Sequence, residues 1–177
     1  MFDDKYQISF EVQDQSIVDI YDENITLKSG VYESGLITVI GKKLAEHIVF
    51  DNWKQLTPLH YDAIAYTAFG DLFLVNKKTK LVSFFEVQYN QLSDIEIDID
   101  TFFNDFMLDE DVRSDVLKVE YFTSILSRID LLALEYDQCL VLKPWLLLGG
   151  EDVESNYVVS HFPVYFDLVG QSFNGNN

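Results

Sequence analysis

The sequence predicts an α+β fold, in which an antiparallel meander sheet packs against several helices in a single layered domain. Short apolar runs separated by turn residues dominate the first half of the chain, and this pattern is typical of strands. Helical spacing of apolar residues dominates much of the second half. Strands followed by helices favour the α+β class. With 177 residues, 48% of them apolar, the chain is long enough to bury a substantial core.

The expected strands form a regular series. Gly70-Asp71 and the loop 76–80 supply turns near its end, because glycine, asparagine and aspartate tolerate the backbone conformations that tight turns require. The segment "CLVLKPWLLLGG" is a further buried strand that runs into a turn. The other predicted spans are 6–12, a hairpin within 29–41, 63–69, 71–75 and 81–87.

Helices are expected over residues 102–132 and on the closing segment "SHFPVYFDLVGQ". In the closing helix, Ser160 would be the N-cap, Pro163 would lie in the first turn and Gly170 would end the helix. An earlier helix would carry one apolar face with Leu44, His47, Ile48 and Trp53. The side chains predicted to be largely buried in strands are Leu72, Leu74, Phe84, Trp145 and Leu147.

The net charge of −18 is the strongest compositional feature, with 12 Lys and Arg against 30 Asp and Glu. Such a surface repels the phosphates of nucleic acids and anionic lipids, so we expect neither as a partner. It attracts a basic protein partner and speeds the encounter with it. Solubility alone is the competing explanation of the acidity.

The expected compartment is the cytoplasm. Cys139 is the single cysteine and has no partner for an internal disulfide, which favours a reducing environment. Met1 is followed by the acidic Asp3-Asp4 rather than by a basic and apolar leader, so no signal peptide is expected. No apolar run reaches the roughly 18 residues that a bilayer span requires.

Asp71 and Glu86 are the only candidates for a catalytic metal site. Nucleases hold a divalent ion with an Asp and a Glu-x-Lys on neighbouring strands, where the lysine stabilises charge on the attacking water. Gln88 stands here in the position of that lysine, and Asp71 follows Gly70 where a turn favours both residues. The sequence therefore favours a turn between strands over a metal site. No cofactor is expected, since the three histidines lack metal-ligand spacing.

An acidic segment follows, with nine acidic residues and no basic residue between Lys80 and Arg113. Its first part alternates acids with isoleucines, which predicts a strand with isoleucines facing the core and carboxylates facing solvent. The segment is either a partner-binding surface or a solvated edge that resists aggregation. The predicted partner-binding residues are Asp94, Glu96, Asp98, Asp100, Asp109, Glu110 and Asp111.

Three segments together resemble a bacterial family: "IAYTAFGDLFLVN", "YDQCLVLKPWLLLGGEDVES" and "VSHFPVYFDLVGQ". The family is the C-terminal domain of type VI secretion immunity proteins, which often follows a GAD-like domain and was long catalogued as a domain of unknown function. The resemblance covers about 30–172, leaving 1–29 as an N-terminal extension packed on the domain and 173–177 as a frayed tail. It implies a protein without catalytic residues that binds and occludes a cognate toxin, in some members a DNase. A metal-dependent enzyme using Asp71 and Glu86 and a general adaptor domain are the alternatives.

Overall fold

The computed structural model describes residues 1–22 and 25–175. Within these residues, seven strands form one antiparallel sheet whose spatial order is their order along the chain, so each strand pairs with its neighbour in sequence. The α+β meander predicted from the sequence is therefore confirmed. The strands are β1 (Ile8–Glu11), β2 (Gly30–Tyr32), β3 (Ile37–Val39), β4 (Tyr61–Thr67), β5 (Leu72–Asn76), β6 (Val82–Glu86) and β7 (Gln91–Asp94).

A second antiparallel sheet and a long closing helix lie beside the main sheet. The second sheet consists of β8 (Gln138–Leu142) and β9 (Tyr157–His161), and Leu140 N donates a hydrogen bond to Ala68 O just after β4. None of the helices in the described part of the chain is both long and apolar enough to cross a bilayer. The α-helices are α1 (Phe2–Lys5), α2 (Val18–Tyr21), α3 (Lys42–Ala45), α4 (Ile99–Asn104), α5 (Val119–Arg128) and α6 (Phe162–Gly175).

Both ends of the described chain belong to this architecture. Strand β1 pairs with β2, and Phe2 and Tyr6 are buried in the main core. The predicted N-terminal extension thus contributes a strand and core side chains to the main sheet. At the other end, α6 continues to Gly175, so only residues 176–177 of the predicted tail lie outside the described residues.

The predicted strand of alternating acids and isoleucines is wrong. Strand β7 ends at Asp94, and α4 begins at Ile99 with Asp98 as its N-cap. The Asp98 carboxylate accepts a hydrogen bond from Thr101 N at 2.8 Å, a local bond that favours helix initiation over an extended chain. Glu96, between the two elements, has a left-handed backbone with φ +62°. The chain thus leaves the strand conformation, although Ile95, Ile97 and Ile99 still pack on the core and the acids between them are exposed.

The predicted limits of the closing helix are also wrong, although Pro163 does lie in its first turn. Ser160 pairs with Cys139 in the second sheet instead of capping the helix. Gly170 lies inside α6, where an added Cβ would come 2.9 Å from the Trp53 ring. The glycine at this position therefore permits close packing of α6 on Trp53 rather than ending the helix.

The five residues predicted to be buried in strands differ in their exposure. Leu72 and Leu74 are fully buried in β5, whereas Phe84, Trp145 and Leu147 are only half-buried. Trp145 and Leu147 differ because the apolar run leaves β8 at Leu142 and turns into a short 3₁₀ helix at the surface. The predicted helix before β4 is shortened to the single turn α3, and of its expected apolar face only His47 is exposed.

Truncation of two leucines measures this difference in burial. We expect Leu74→Ala to lower the free energy of unfolding by about 2–5 kcal/mol, because it empties a fully buried site. Leu147→Ala removes the same atoms from a half-buried site and should cost less than half as much. Urea unfolding followed by tryptophan fluorescence measures both values. Equal losses for the two variants would contradict this assignment of the core.

The turn between β4 and β5 packs directly against α6. Gly70 has φ +82°, and an added Cβ would lie 2.7 Å from Tyr165 Cε1. Gly149 has the same φ of +82°, but nothing lies within 4 Å of its added Cβ. These two glycines share the same positive φ and differ in their surroundings.

Replacing each glycine with alanine, and comparing the two losses of stability, should therefore separate the cost of backbone strain from the cost of a steric clash. Gly149→Ala should cost about 1–2 kcal/mol of stability, because a left-handed backbone disfavours a side chain. Gly70→Ala should cost about 1–3 kcal/mol more, because the methyl group also displaces the Tyr165 ring. Thermal and urea unfolding of both variants measure the difference. The close approach of the turn to α6 is disproved if both lose the same stability.

Candidate functional site

Asp71 occupies a mostly desolvated position at the end of the main sheet. Its carboxylate accepts a hydrogen bond from Val87 N at 2.9 Å. Burial raises the pKa of the Asp71 carboxyl group to about 7. The hydrogen bond from Val87 N and the positive charge of Lys118 act against this rise, and the negative charge of Glu86 adds to it. Although the residue retains some exposed surface, its carboxyl group faces a cavity of about 30 Å³. That volume accommodates about one water molecule rather than a substrate.

The structure brings Asp71 and Glu86 within electrostatic reach, as the metal hypothesis required, but it uses Gln88 for another purpose. Gln88 Nε2 donates a hydrogen bond to Tyr165 Oη at 2.6 Å, and Gln88 Oε1 accepts one from Leu146 N at 3.2 Å. Gln88, at the position where the metal hypothesis requires a lysine, thus connects the edge of the main sheet to α6 and to the loop after β8.

The acidic residues predicted to bind a partner are all exposed, and most of their side chains have local polar contacts. Asp94 accepts a hydrogen bond from Ser83 Oγ, and Asp100 accepts one from Asn104 Nδ2, each at 2.8 Å. Asp109 accepts the Asp111 N–H at 2.8 Å. The cap bond from Thr101 N lowers the pKa of Asp98. The donors in these four contacts are neutral groups, so none of the contacts supplies a positive charge.

Glu96 and Asp111 have no hydrogen-bond or ion-pair partner for their side chains within residues 1–22 and 25–175. Glu110 differs from all the others, because Lys5 Nζ lies 2.6 Å from its carboxylate and lowers its pKa. Of the seven predicted residues, Glu110 is therefore the one whose charge is offset by a direct cation. The remaining carboxylates stay available to an outside cation.

The sequence did not predict a group of polar and aromatic contacts around Arg113. Arg113 is largely buried and holds Glu33 through two hydrogen bonds of 3.1 and 3.0 Å. Its guanidinium lies 4.9 Å from the centre of the Tyr6 ring, and its pKa is raised mainly by the bond to Glu33. Because eighty residues separate Arg113 from Glu33, no local pattern in the sequence points to this pair.

A surface groove of about 560 Å³ adjoins the acidic segment through Glu110. Glu120 and Glu154 add carboxylates to its lining, and Tyr121 adds an aromatic ring. The pKa of the Tyr121 hydroxyl is raised to about 12, first by burial and then by Asp152, so the ring remains neutral. Arg113 and Lys118 also line the groove, so it adds two carboxylates and two cations to the surface beside Glu110.

No protein-family model and no curated protein sequence matches the chain. Among solved structures, the chain is similar to a protein described as "Crystal structure of Atu4351 from Agrobacterium tumefaciens". The two share a TM-score of 0.64 and 14% sequence identity, over 96% of this chain and 86% of that one. At this identity the similarity concerns the fold alone, so it defines the chain as an α+β protein of that architecture.

Titration with divalent cations tests the metal hypothesis. We expect no stoichiometric binding of Mg²⁺, Mn²⁺ or Ca²⁺ at Asp71, because its carboxylate is desolvated, bonded to Val87 N and partly protonated near pH 7. Calorimetry of the wild type and of Asp71→Ala should give the same weak heats, which come from the acidic surface. A one-to-one site that disappears in Asp71→Ala would support a metal enzyme.

Proposed function

We propose that this chain is a cytoplasmic immunity protein that binds a cognate antibacterial toxin and blocks its active site. Its work requires binding and no chemical turnover. The proposal combines the resemblance to type VI secretion immunity proteins with one observation of the structure. That observation is the exposed acidic segment, together with the groove beside it, in which most carboxylates lack a cation.

The charge distribution supports a basic partner. Within the described residues, Lys5, Lys28, Lys77, Lys118 and Arg113 each form an ion pair inside the molecule. Seven of the twelve Lys and Arg residues lie outside these pairs, but none of them lies within residues 81–112, so the field of the acidic segment extends into solvent. A toxin with a positively charged nucleic-acid-binding surface is attracted by such a field and then held by short-range contacts. Carboxylates would meet the toxin groups that otherwise meet phosphate.

The alternative enzyme function is less well supported by the same geometry. The Asp71 cavity of about 30 Å³ has no room for a substrate, and Gln88 is engaged by Tyr165 and Leu146. A general adaptor domain would share the acidic surface with an immunity protein. Inhibition of a toxin distinguishes the two, because an adaptor binds without blocking activity.

Protection of cells tests the proposal directly. The toxin encoded beside the gene for this chain should kill cells when produced alone and should be harmless when this chain is produced with it. The two proteins should also co-purify in a fixed ratio, and the chain should inhibit the purified toxin. A toxin that stays active in the presence of excess chain would exclude the immunity function.

The role of the acidic segment can be measured with two variants of equal charge. Glu96→Gln, Asp105→Asn and Asp111→Asn together neutralise three exposed carboxylates of the segment. We expect several-fold slower association with the toxin at low salt and a weaker salt dependence, because long-range attraction acts mainly on the association rate. Stopped-flow fluorescence measures this rate.

The matched control neutralises Glu46, Asp51 and Glu135, which are exposed acids outside the segment. Both triple variants change the net charge from −18 to −15, since each removes three negative charges. Both should unfold within about 0.5 kcal/mol of the wild type. If the two variants associate equally fast, overall charge rather than this segment guides the encounter.

A further inference from the structure

We propose that the Asp71 carboxyl group is a proton-controlled latch between the end of the main sheet and the layer formed by β8, β9 and α6. In its neutral form the group lets the two layers close tightly. In its ionised form it favours transient opening of the second layer, because opening returns the charge to water. This is a regulatory property of the fold and does not depend on the proposed immunity function.

The position of Asp71 is the first argument for the latch. Its neighbour Gly70 approaches the second layer closely, since an added Cβ would lie 2.7 Å from Tyr165 Cε1 and 3.5 Å from Cys139 Sγ. Tyr165 belongs to α6 and Cys139 to β8. The turn that carries Asp71 is therefore a contact point between the layers, and separation of the layers would bring water to the carboxyl group.

The surroundings of Asp71 offer little compensation for a charge. Val87 N, at 2.9 Å, is the one hydrogen-bond donor to its carboxylate among the described residues. The cavity beside it also receives side chains from other elements, and its volume of about 30 Å³ leaves space for about one water molecule. A buried carboxylate with one donor is costly to ionise, whereas the neutral acid can donate a hydrogen bond to such a water.

Several of the elements packed around the carboxyl group contribute a titratable or charged side chain. Glu86 of β6 opposes its ionisation, and Lys118, which precedes α5, favours it. The remaining groups are weak acids or are already paired. Burial raises the pKa values of the Cys139 thiol and of the Tyr157 and Tyr165 hydroxyls. Tyr89 also lines the cavity. Asp152 accepts a hydrogen bond from Tyr157 Oη at 2.8 Å.

Asp71 is thus the acid in this cluster whose pKa burial raises into the neutral range. Its pKa is about 7 in the closed structure, against about 3.9 for an ordinary aspartate. An acid whose pKa is raised by folding binds its proton more tightly in the closed state. Closure is therefore most favourable below about pH 4, weakens as pH rises to about 7, and then stays constant.

Native-state hydrogen exchange tests the latch, with rates corrected for the intrinsic effect of pH. In the wild type, the opening constant of β8, β9 and α6 should increase up to about tenfold per pH unit between pH 5 and pH 7. In Asp71→Asn, which keeps the shape without the charge, the opening constant should not follow this rise. An Asn variant with the wild-type pH dependence would overturn the proposal.

Two neighbouring substitutions give opposite shifts and decide the matter even if Asp71→Asn does not fold. Glu86→Gln should move the midpoint of the Asp71 carboxyl titration to lower pH, because it removes a repelling charge. Lys118→Gln should move the midpoint to higher pH, because it removes an attracting charge. Carbon-13 NMR of the side-chain carboxyl group measures these midpoints. An Asp71 midpoint near pH 4 in the wild type would disprove the latch.

Discussion

The contact between the β4–β5 turn and α6 determines how the two layers of this protein meet. The turn has no side chain at Gly70, so the Tyr165 ring lies directly against its backbone. Further along α6, Gly170 allows an equally close approach to Trp53. At the start of α6, Phe162 stacks on Tyr66 of β4 with ring centres 4.0 Å apart, and between the two points Phe166 packs against Trp53. The helix is thus held along its length by aromatic rings and by two glycines that leave room for them.

The same contact also determines where polar groups are enclosed. Once α6 and β8 cover the end of the main sheet, Asp71 and Gln88 lose most of their contact with water, and Tyr165 becomes fully buried. Gln88 satisfies the hydroxyl of Tyr165 and the N–H of Leu146 at once. Asp71 receives only the Val87 N–H. One of the two polar side chains is therefore compensated within the fold, and the other retains a proton equilibrium close to neutral pH.

Elsewhere, most carboxylates are exposed to solvent, and some of the cations form ion pairs between distant parts of the chain. Arg113 joins the segment after α4 to Glu33, and Lys5 joins the N-terminal helix to Glu110. These pairs connect distant parts of the chain. With Lys5 and Arg113 paired and no Lys or Arg within residues 81–112, the acidic segment acts as a source of long-range attraction for basic proteins.

The sequence by itself determined the meander, because apolar runs of strand length separated by turn residues leave few other arrangements for neighbouring strands. It also determined the burial of Leu72 and Leu74, the position of Pro163 and the exposure of the acidic segment, all of which follow from local composition. The helix start at Ile99 depends on a local cap bond from Asp98, which the alternating pattern concealed. Only the tertiary structure decided the continuation of α6 past Gly170, where Trp53 requires the glycine. It alone placed Gln88 against Tyr165, Arg113 against Glu33 and Asp71 beside a small cavity. Those contacts join residues far apart in the chain, and a linear pattern carries no information on which distant side chain will desolvate or neutralise a charge.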